Sequence, residues 1–363
     1  MQKRKRVVVK VGTKVITAKD RTLDIERVTD IVCQIAAIRK SGIDIILVSS
    51  GAIGAGLGLL NMKKRPDDLS ELQAAASIGQ NYLMHIYGSL FKNEKYLTGQ
   101  ILLTQEDFND RQRFLNIKHT INALLKHNAI PIINENDTVA TEEIRCGDND
   151  RLSSLVADLC EAQKLVILSD VDGLLDEKGG VIPFVHEITP GIIKLGGKSY
   201  CDLGTGGMAT KIASAKSAVD AGIECVIANG RLEGALSRII IEGKNIGTTF
   251  KSRKGTLIAK KRWIAVSSGS KGEIRVDDGA RTALAQKDKS LLASGIVGVK
   301  GAFAAGDVVK VIDKDRREFA KGISNYSSED ILKIKGRKSA EFKNILGYKG
   351  HDEVIHKDNL VII

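Results

Sequence analysis

Residues 6–12, RVVVKVG, form a β-branched apolar run of strand length, closed by glycine and broken by one lysine. Branched side chains favour extended backbone, and a continuous apolar run, unlike an alternating one, marks a strand buried on both faces. Lys10 is the exception, because an ammonium inside such a run costs stability unless it reaches water or a partner. Snorkelling at a strand end is one reading of it and a functional site is the other.

Outward from this stretch the same texture recurs. IDIILVSS (43–50), AIPIIN (129–134), KLVILS (164–169) and ECVIAN (224–229) are further short apolar runs bounded by Gly, Pro, Asn or Ser. Between the runs, IERVTDIVCQIAAIRKSG, IKHTINALLKHN, NDRLSSLVADLCEA and KIASAKSAVDAG carry apolar residues at helical intervals. Strand and helix in alternation predict an α/β fold, an open, mainly parallel sheet sandwiched between helices. Ligands gather at the carboxyl ends of such strands. Ser49 and Ser50, Asn134 to Asp137, and Ser169 to Asp172 fall there.

From residue 251 the pattern changes. KSRKGTLIAKKRW reads as a basic connector, and GEIRVDDGA, GIVGVKG, GDVVKVID, EFAKGISNY and NLVII read as short strands with glycine turns, a small β-rich domain. The expected division is an α/β domain over 1–250, a linker over 251–269 and a β-rich domain over 270–363. Charge follows that division: residues 1–250 hold 31 Lys and Arg against 30 Asp and Glu, and residues 251–363 hold 24 against 14. A basic module of this kind suits a polyanionic partner or a solvated surface.

Composition excludes several classes. With 363 residues, 43% apolar and 27% charged, the chain is neither fibrous nor disordered. The basic start is followed by too short an apolar run for a signal peptide, and no run is long enough to span a membrane, so a cytoplasmic location is expected. Five cysteines without a CxxC pair support neither a disulfide framework nor a zinc site, and no metal site is expected.

The chemistry concentrates in three places. GTGGMATK (204–211) puts glycines and Lys211 ahead of a helical pattern, an arrangement that turns backbone N–H groups and a helix dipole toward an anion. Its spacing matches neither the P-loop nor GxGxxG, and a plain turn before a helix is the alternative. SSGAIGAG (49–56) is a second glycine-rich turn, open to close ligand approach or to close helix packing. NENDTVATEEIRCGDNDRLS (134–153) is the densest polar cluster, suited to an ammonium group, a metal or a solvated turn. Lys10 and Lys211, if they converge, would clamp a transferring phosphoryl group.

Taken in order, VVVKVGT, VSSGAIGAG, PIINENDTV, GDNDRLS, LSDVDGL and GTGGMATK resemble the motifs of the glutamate 5-kinase branch of the amino acid kinase family. The stretch GEIRVDDGARTALAQKDKSLLASGIVGVKGAFAAGDVVKV is similar to the PUA domain that many bacterial members carry. The resemblance covers essentially the whole chain. It implies phosphorylation of the L-glutamate side-chain carboxylate by ATP with Mg²⁺, the first step of proline biosynthesis. It also implies proline as feedback inhibitor, a homo-oligomer and glutamyl-phosphate reductase as a partner.

By the same resemblance Lys10, Lys211 and Asp170 would be catalytic. ATP would be held by Lys10, Ser169, Asp170, Thr205, Gly206, Gly207, Met208, Ala209, Thr210 and Lys211. Glutamate would be held by Ser50, Asp137 and Asn149, with Asp148 and Asp150 as contacts or orienters of its amine. Asp170 is a further candidate to hold the two lysines in place. Cys146 and Arg151 stand where the family more often carries an aliphatic and a neutral residue. The competing expectation is an RNA-binding protein acting through its basic PUA domain. No membrane partner is expected.

Overall fold

The structure is a computed structural model describing residues 4–18, 22–62, 64–140, 149–197, 207–252, 264, 270–287, 289–348 and 350–363. The chain forms two compact units, Met1–Thr256 and Leu257–Ile363. The expected connector over 251–269 lies almost wholly outside the described residues.

The first unit holds an eight-stranded sheet: β1 (Arg6–Val11), β2 (Asp44–Ser49), β3 (Thr98–Leu103), β4 (Ile130–Glu135), β5 (Lys164–Ser169), β6 (Phe184–Val185), β7 (Glu224–Asn229) and β8 (Thr248–Phe250). They lie in the order β3-β4-β2-β1-β5-β7-β8-β6, with β8 antiparallel to β7 and every other pair parallel. The five strands expected from apolar runs occupy the middle of the sheet. The three that the pattern does not announce, β3, β6 and β8, lie at the margins, where strands are short or half-solvated and carry a weaker apolar signal.

Alternation along the central strands fills two cores. Val7, Val9, Val11, Ile45, Leu47, Val166 and Leu168 face one side, under the helices Ile25–Lys40 and Leu69–Asn93. Val8, Ile46, Val48, Leu165 and Ile167 face the other, under the helices Arg111–Lys126, Asn149–Leu159 and Met208–Asp220. Lys10 shares the parity of Val8, so it faces the second layer of helices. Aspartates start several of the helices in the expected way: Asp24, Asp68 and Asp110 accept hydrogen bonds from the backbone N–H groups of Arg27, Glu71 and Arg113.

The glycine-rich turn after β2 is resolved into two uses. Gly51 has φ +106° and makes the turn into the helix Ala52–Leu59. Gly56 serves helix packing: a Cβ there would lie 1.8 Å from the Ala75 carbonyl oxygen, and one at Gly79 would lie 1.8 Å from that of Ala52. The two helices therefore cross backbone to backbone.

The second unit carries a five-stranded sheet of β9 (Gly272–Val276), β10 (Ile296–Lys300), β11 (Val308–Ile312), β12 (Glu318–Ile323) and β13 (Leu360–Ile362), ordered β10-β9-β11-β12-β13. Only the β9–β11 pair is parallel. Ile274, Val276, Val309, Val311, Tyr326, Ile331 and Phe342 form its own core, with the Tyr326 and Phe342 rings edge to face at 5.8 Å.

Candidate functional site

Four of the central strands end in polar residues on one rim of the sheet. Lys10 is the next-to-last residue of β1, Ser50 follows β2, Asn134 and Glu135 close β4, and Ser169 and Asp170 end and follow β5. Gly12 N–H bonds to the Leu168 carbonyl and Ser50 N–H to that of Val11, which continues the ladder past the strands and fixes this rim.

Two helices bring their first turns over the rim. The helix Asn149–Leu159 presents Asn149 and Asp150, and the helix Met208–Asp220 presents Thr210 and Lys211. Asp150, only 1% exposed, bridges the two lysines: Lys10 Nζ lies 2.6 Å from Oδ1 and Lys211 Nζ 3.1 Å from Oδ2. Thr210 Oγ1 is within 3.0 Å of the same Oδ2. Burial by itself would raise the Asp150 carboxyl, but the adjacent Lys10 and Lys211 ammoniums outweigh it and hold the group below its ordinary value. The carboxylate between the lysines is thus Asp150, where the sequence pointed to Asp170. Asp170 leaves β5 toward solvent, and its carboxylate instead accepts from Lys14 Nζ at 3.1 Å and Ser169 Oγ at 3.2 Å. Burial would raise it, and those contacts together with a backbone N–H hold it below the ordinary value.

A second group lies beside the first. Asn149 Nδ2 uses both hydrogens, donating to Ser50 Oγ at 2.9 Å and to Asn134 Oδ1 at 2.8 Å. That leaves Asn149 Oδ1 buried with no partner among the described residues, an acceptor available to a donor from outside. Asn134 Nδ2 in turn donates to Gln80 Oε1 at 2.7 Å. Behind β2, the buried Tyr87 hydroxyl lies 3.0 Å from Ser49 Oγ, which donates to the Ser50 carbonyl. Desolvation pushes Tyr87 up to about 12, against the opposing pull of that hydrogen bond, so it stays a neutral donor.

Among the described residues no side chain caps the first turn of Met208–Asp220, and none comes within 4 Å of a Cβ built at Gly207. The backbone N–H groups there, around Met208, Ala209 and Thr210, are open to an anion, and Lys211 follows on the same turn. Thr205 and Gly206, like Asp148 and Cys146, lie outside the described residues. Asp137 lies in the turn after β4. Among the described residues no group of three or more His, Cys, Asp or Glu is placed to hold a metal ion, and no helix is long and apolar enough to cross a membrane.

Several contributors went unread in the sequence. Gln80 and Tyr87 sit in the helix Leu69–Asn93, where their spacing resembles that of any helical face. Lys14 is a surface lysine except for its contact with Asp170. Arg231, after β7, donates to the carbonyls of Lys14 at 2.8 Å and Thr17 at 2.9 Å and so ties the short helix Thr13–Ile16 to the end of β7 on the same rim.

A profile of the amino acid kinase family matches residues 5–229, and one of the PUA domain matches residues 272–346. The chain is 48% identical to a glutamate 5-kinase of Caldanaerobacter subterraneus subsp. tengcongensis, covering 99% of this chain and 98% of that protein. It is 45% identical to a glutamate 5-kinase of Thermoanaerobacter sp. over 99% and 98%, and 44% identical to one of Moorella thermoacetica over 99% and 96%. X-ray structures of isopentenyl phosphate kinase are similar over 68% of this chain at 15% identity and a TM-score of 0.46, a likeness too slight to bear on the fold.

Proposed function

Because the chain belongs to the amino acid kinase family, and within it to the glutamate 5-kinases, we propose that it phosphorylates the side-chain carboxylate of L-glutamate to give L-glutamyl 5-phosphate. The observation that carries the reading is the convergence of Lys10 and Lys211 on one buried carboxylate at the carboxyl ends of the strands.

Mg²⁺ would neutralise phosphate charge on the nucleotide, and ATP would supply the γ-phosphoryl group at a phosphate site on this rim. The residues present fit it: an uncapped helix start with open space at Gly207, followed at once by Lys211. Met208, Ala209, Thr210 and Lys211, with Ser169 and Asp170 across the rim and Thr205 and Gly206 ahead of the helix, hold the nucleotide. Ser50, Asp137 and Asn149 hold glutamate, and the Asn149 Oδ1 acceptor suits its ammonium group. Asp148, outside the described residues, is a further candidate contact of the substrate amine.

The reaction brings two anions together, so positioning and neutralisation dominate. Lys10 and Lys211 offset the repulsion, and Asp150 keeps both ammoniums at a fixed separation while the charge moves from donor to acceptor oxygen. The attacking carboxylate is already ionised at neutral pH, so no general base is needed. Proline acts as feedback inhibitor at the glutamate site, the enzyme is a cytoplasmic homo-oligomer, and glutamyl-phosphate reductase takes its labile product.

The test is incubation with Mg-ATP, L-glutamate and hydroxylamine, reading γ-glutamyl hydroxamate, with aspartate and N-acetylglutamate as parallel substrates. Hydroxamate from glutamate alone, lost in Lys211→Ala and suppressed by proline, is expected. Folded protein giving none with any substrate overturns the kinase reading, and activity indifferent to excess proline removes the feedback part.

A further inference from the structure

The face of the C-terminal sheet opposite its main core carries a groove of about 410 Å³ lined by Glu273, Arg275, Gly298, Val299, Lys300, Ile312 and Arg316. Alternation along β9 sends Ile274 and Val276 into the core and Glu273 and Arg275 to this face. The register sets Lys300 and Lys310 on either side of Glu273, and Gly298 beside Arg275. The neighbouring cations of this unit are mostly neutralised: Lys310 pairs with Glu318 at 3.0 Å, Lys314 with Asp278 at 2.8 Å and Arg281 with Asp313 at 3.4 Å. Arg275, Lys300 and Arg316 have no carboxylate within ion-pair distance among the described residues, although all three line one groove.

Irregular backbone shapes this part of the sheet. The β9–β10 register shifts between Ile296 and Gly298, and the β11–β12 register between Val311 and Ile312, so irregularities flank the row containing Arg275 and Ile312. A Cβ at Gly298 would stand 3.3 Å from Arg275 Nη2, so the guanidinium lies directly across the glycine, and its buried Nε–H has no acceptor among the described residues. Arg316 has φ +61° in the turn between β11 and β12, which Asp313 Oδ1 fixes by accepting from the N–H groups of Asp315 at 3.0 Å and Arg317 at 2.9 Å.

We propose that this groove is a binding site for a small phosphate-bearing anion, held by Arg275, Lys300 and Arg316. Two guanidinium forks and an ammonium around one cavity match the several oxygens of a phosphate or diphosphate. Glu273 offers an acceptor to a hydroxyl or amino donor on the rest of the molecule, and Ile312 gives that part an apolar wall. The volume fits a ligand the size of a nucleotide. The site is separate from the kinase chemistry and does not depend on it.

Calorimetric titration of the full-length protein tests this, with the N-terminal site first saturated by a non-hydrolysable ATP analogue and glutamate. The probes are inorganic pyrophosphate, ADP and a short single-stranded oligoribonucleotide. One equivalent of pyrophosphate or ADP per chain is expected, with protection from hydrogen exchange in β9 and β10. Arg275→Gln and Arg316→Gln should each weaken binding about tenfold or more without changing basal kinase activity. Arg316 lies in a turn, so its variant keeps the test valid should Arg275→Gln fold poorly. Absence of a second binding event, or equal affinity in the variants, overturns the site. Binding of the oligoribonucleotide alone overturns the small-ligand assignment in favour of RNA.

Discussion

The ammonium of Lys10 lies 2.6 Å from Oδ1 of Asp150, joining the middle strand of the sheet to the first turn of a helix that begins 139 positions later. Lys211 takes the other oxygen. Replacing Asp150 by Asn keeps the shape and removes the charge, leaving two largely buried ammonium groups facing each other. The variant should lose about 3–5 kcal/mol of stability, and kcat in the hydroxamate assay should fall about 100-fold or more. Chemical denaturation and initial rates check both. A folded Asp150→Asn protein with near-normal kcat would remove the bridging role.

The same carboxylate gives a pH signature. Its native value is held below the ordinary one, so its contribution is fully present above the unfolded value, near ~3.9, and is lost as pH falls through the depressed native value. The Tm gap between the parent and Asp150→Asn should therefore be constant from about pH 5 to 7 and narrow below about pH 4. A gap that narrows instead as pH rises toward 7 contradicts the assignment.

These relationships mark where reading the sequence succeeds and where it stops. The five buried strands of the first unit and the five of the second were legible, because continuous or alternating apolar runs between turn residues have few other structural solutions. The rim positions followed from them, since polar residues that close buried strands must lie at the sheet's edge. Asp150 as the bridge was not legible. Its partners are 140 and 61 residues away, and only the packing of two helices on one face shows that Asp150 reaches both lysines while Asp170 turns to Lys14. Gln80 was equally hidden, because a glutamine on a long helix looks the same whether it meets solvent or Asn134.

Gln80 and Asn134 give a prediction of their own. They hold the amide of Asn149 so that its buried Oδ1 is left as the unused acceptor. Asn134→Ala removes one of the two acceptors of Asn149 Nδ2 and frees that amide to turn. KM for glutamate should rise about tenfold while KM for ATP stays within about twofold. Gln80→Leu should act in the same direction and more weakly, as a positioning residue one step further out. Equal rises in both KM values would mean general disorder of the rim.

The glycine-rich turn supplies a contrast within one helix. A Cβ at Gly56 would stand 1.8 Å from the Ala75 carbonyl oxygen, whereas one at Gly54 would make ordinary contact at 3.5 Å with Thr13 Cγ2. Gly56→Ala should force the two helices apart and cost about 3 kcal/mol or more, disturbing Ser50 just upstream and raising KM for glutamate. Gly54→Ala should be neutral or stabilise by up to about 1 kcal/mol. Thermal melts of the two variants decide the matter, and similar Tm values would refute the close crossing.

At the opposite, amino end of the strands, Arg39 is fully buried and pairs with Asp44, donating also to Asn128 Oδ1 at 2.8 Å. Arg4 and Arg6 approach the same carboxylate at 3.9 and 3.8 Å. Arg39→Met leaves Asp44 with only these longer contacts, at a cost of about 3 kcal/mol. Adding Asp44→Asn should recover part of the loss, because the coupling between neighbours is not additive. No residue of this cluster approaches the rim that holds Lys10 and Asp150, so kcat per folded molecule should be unchanged. Denaturation curves paired with active-site-normalised rates separate the two effects. A fall in kcat without a fall in stability would show that the two ends of the sheet are coupled.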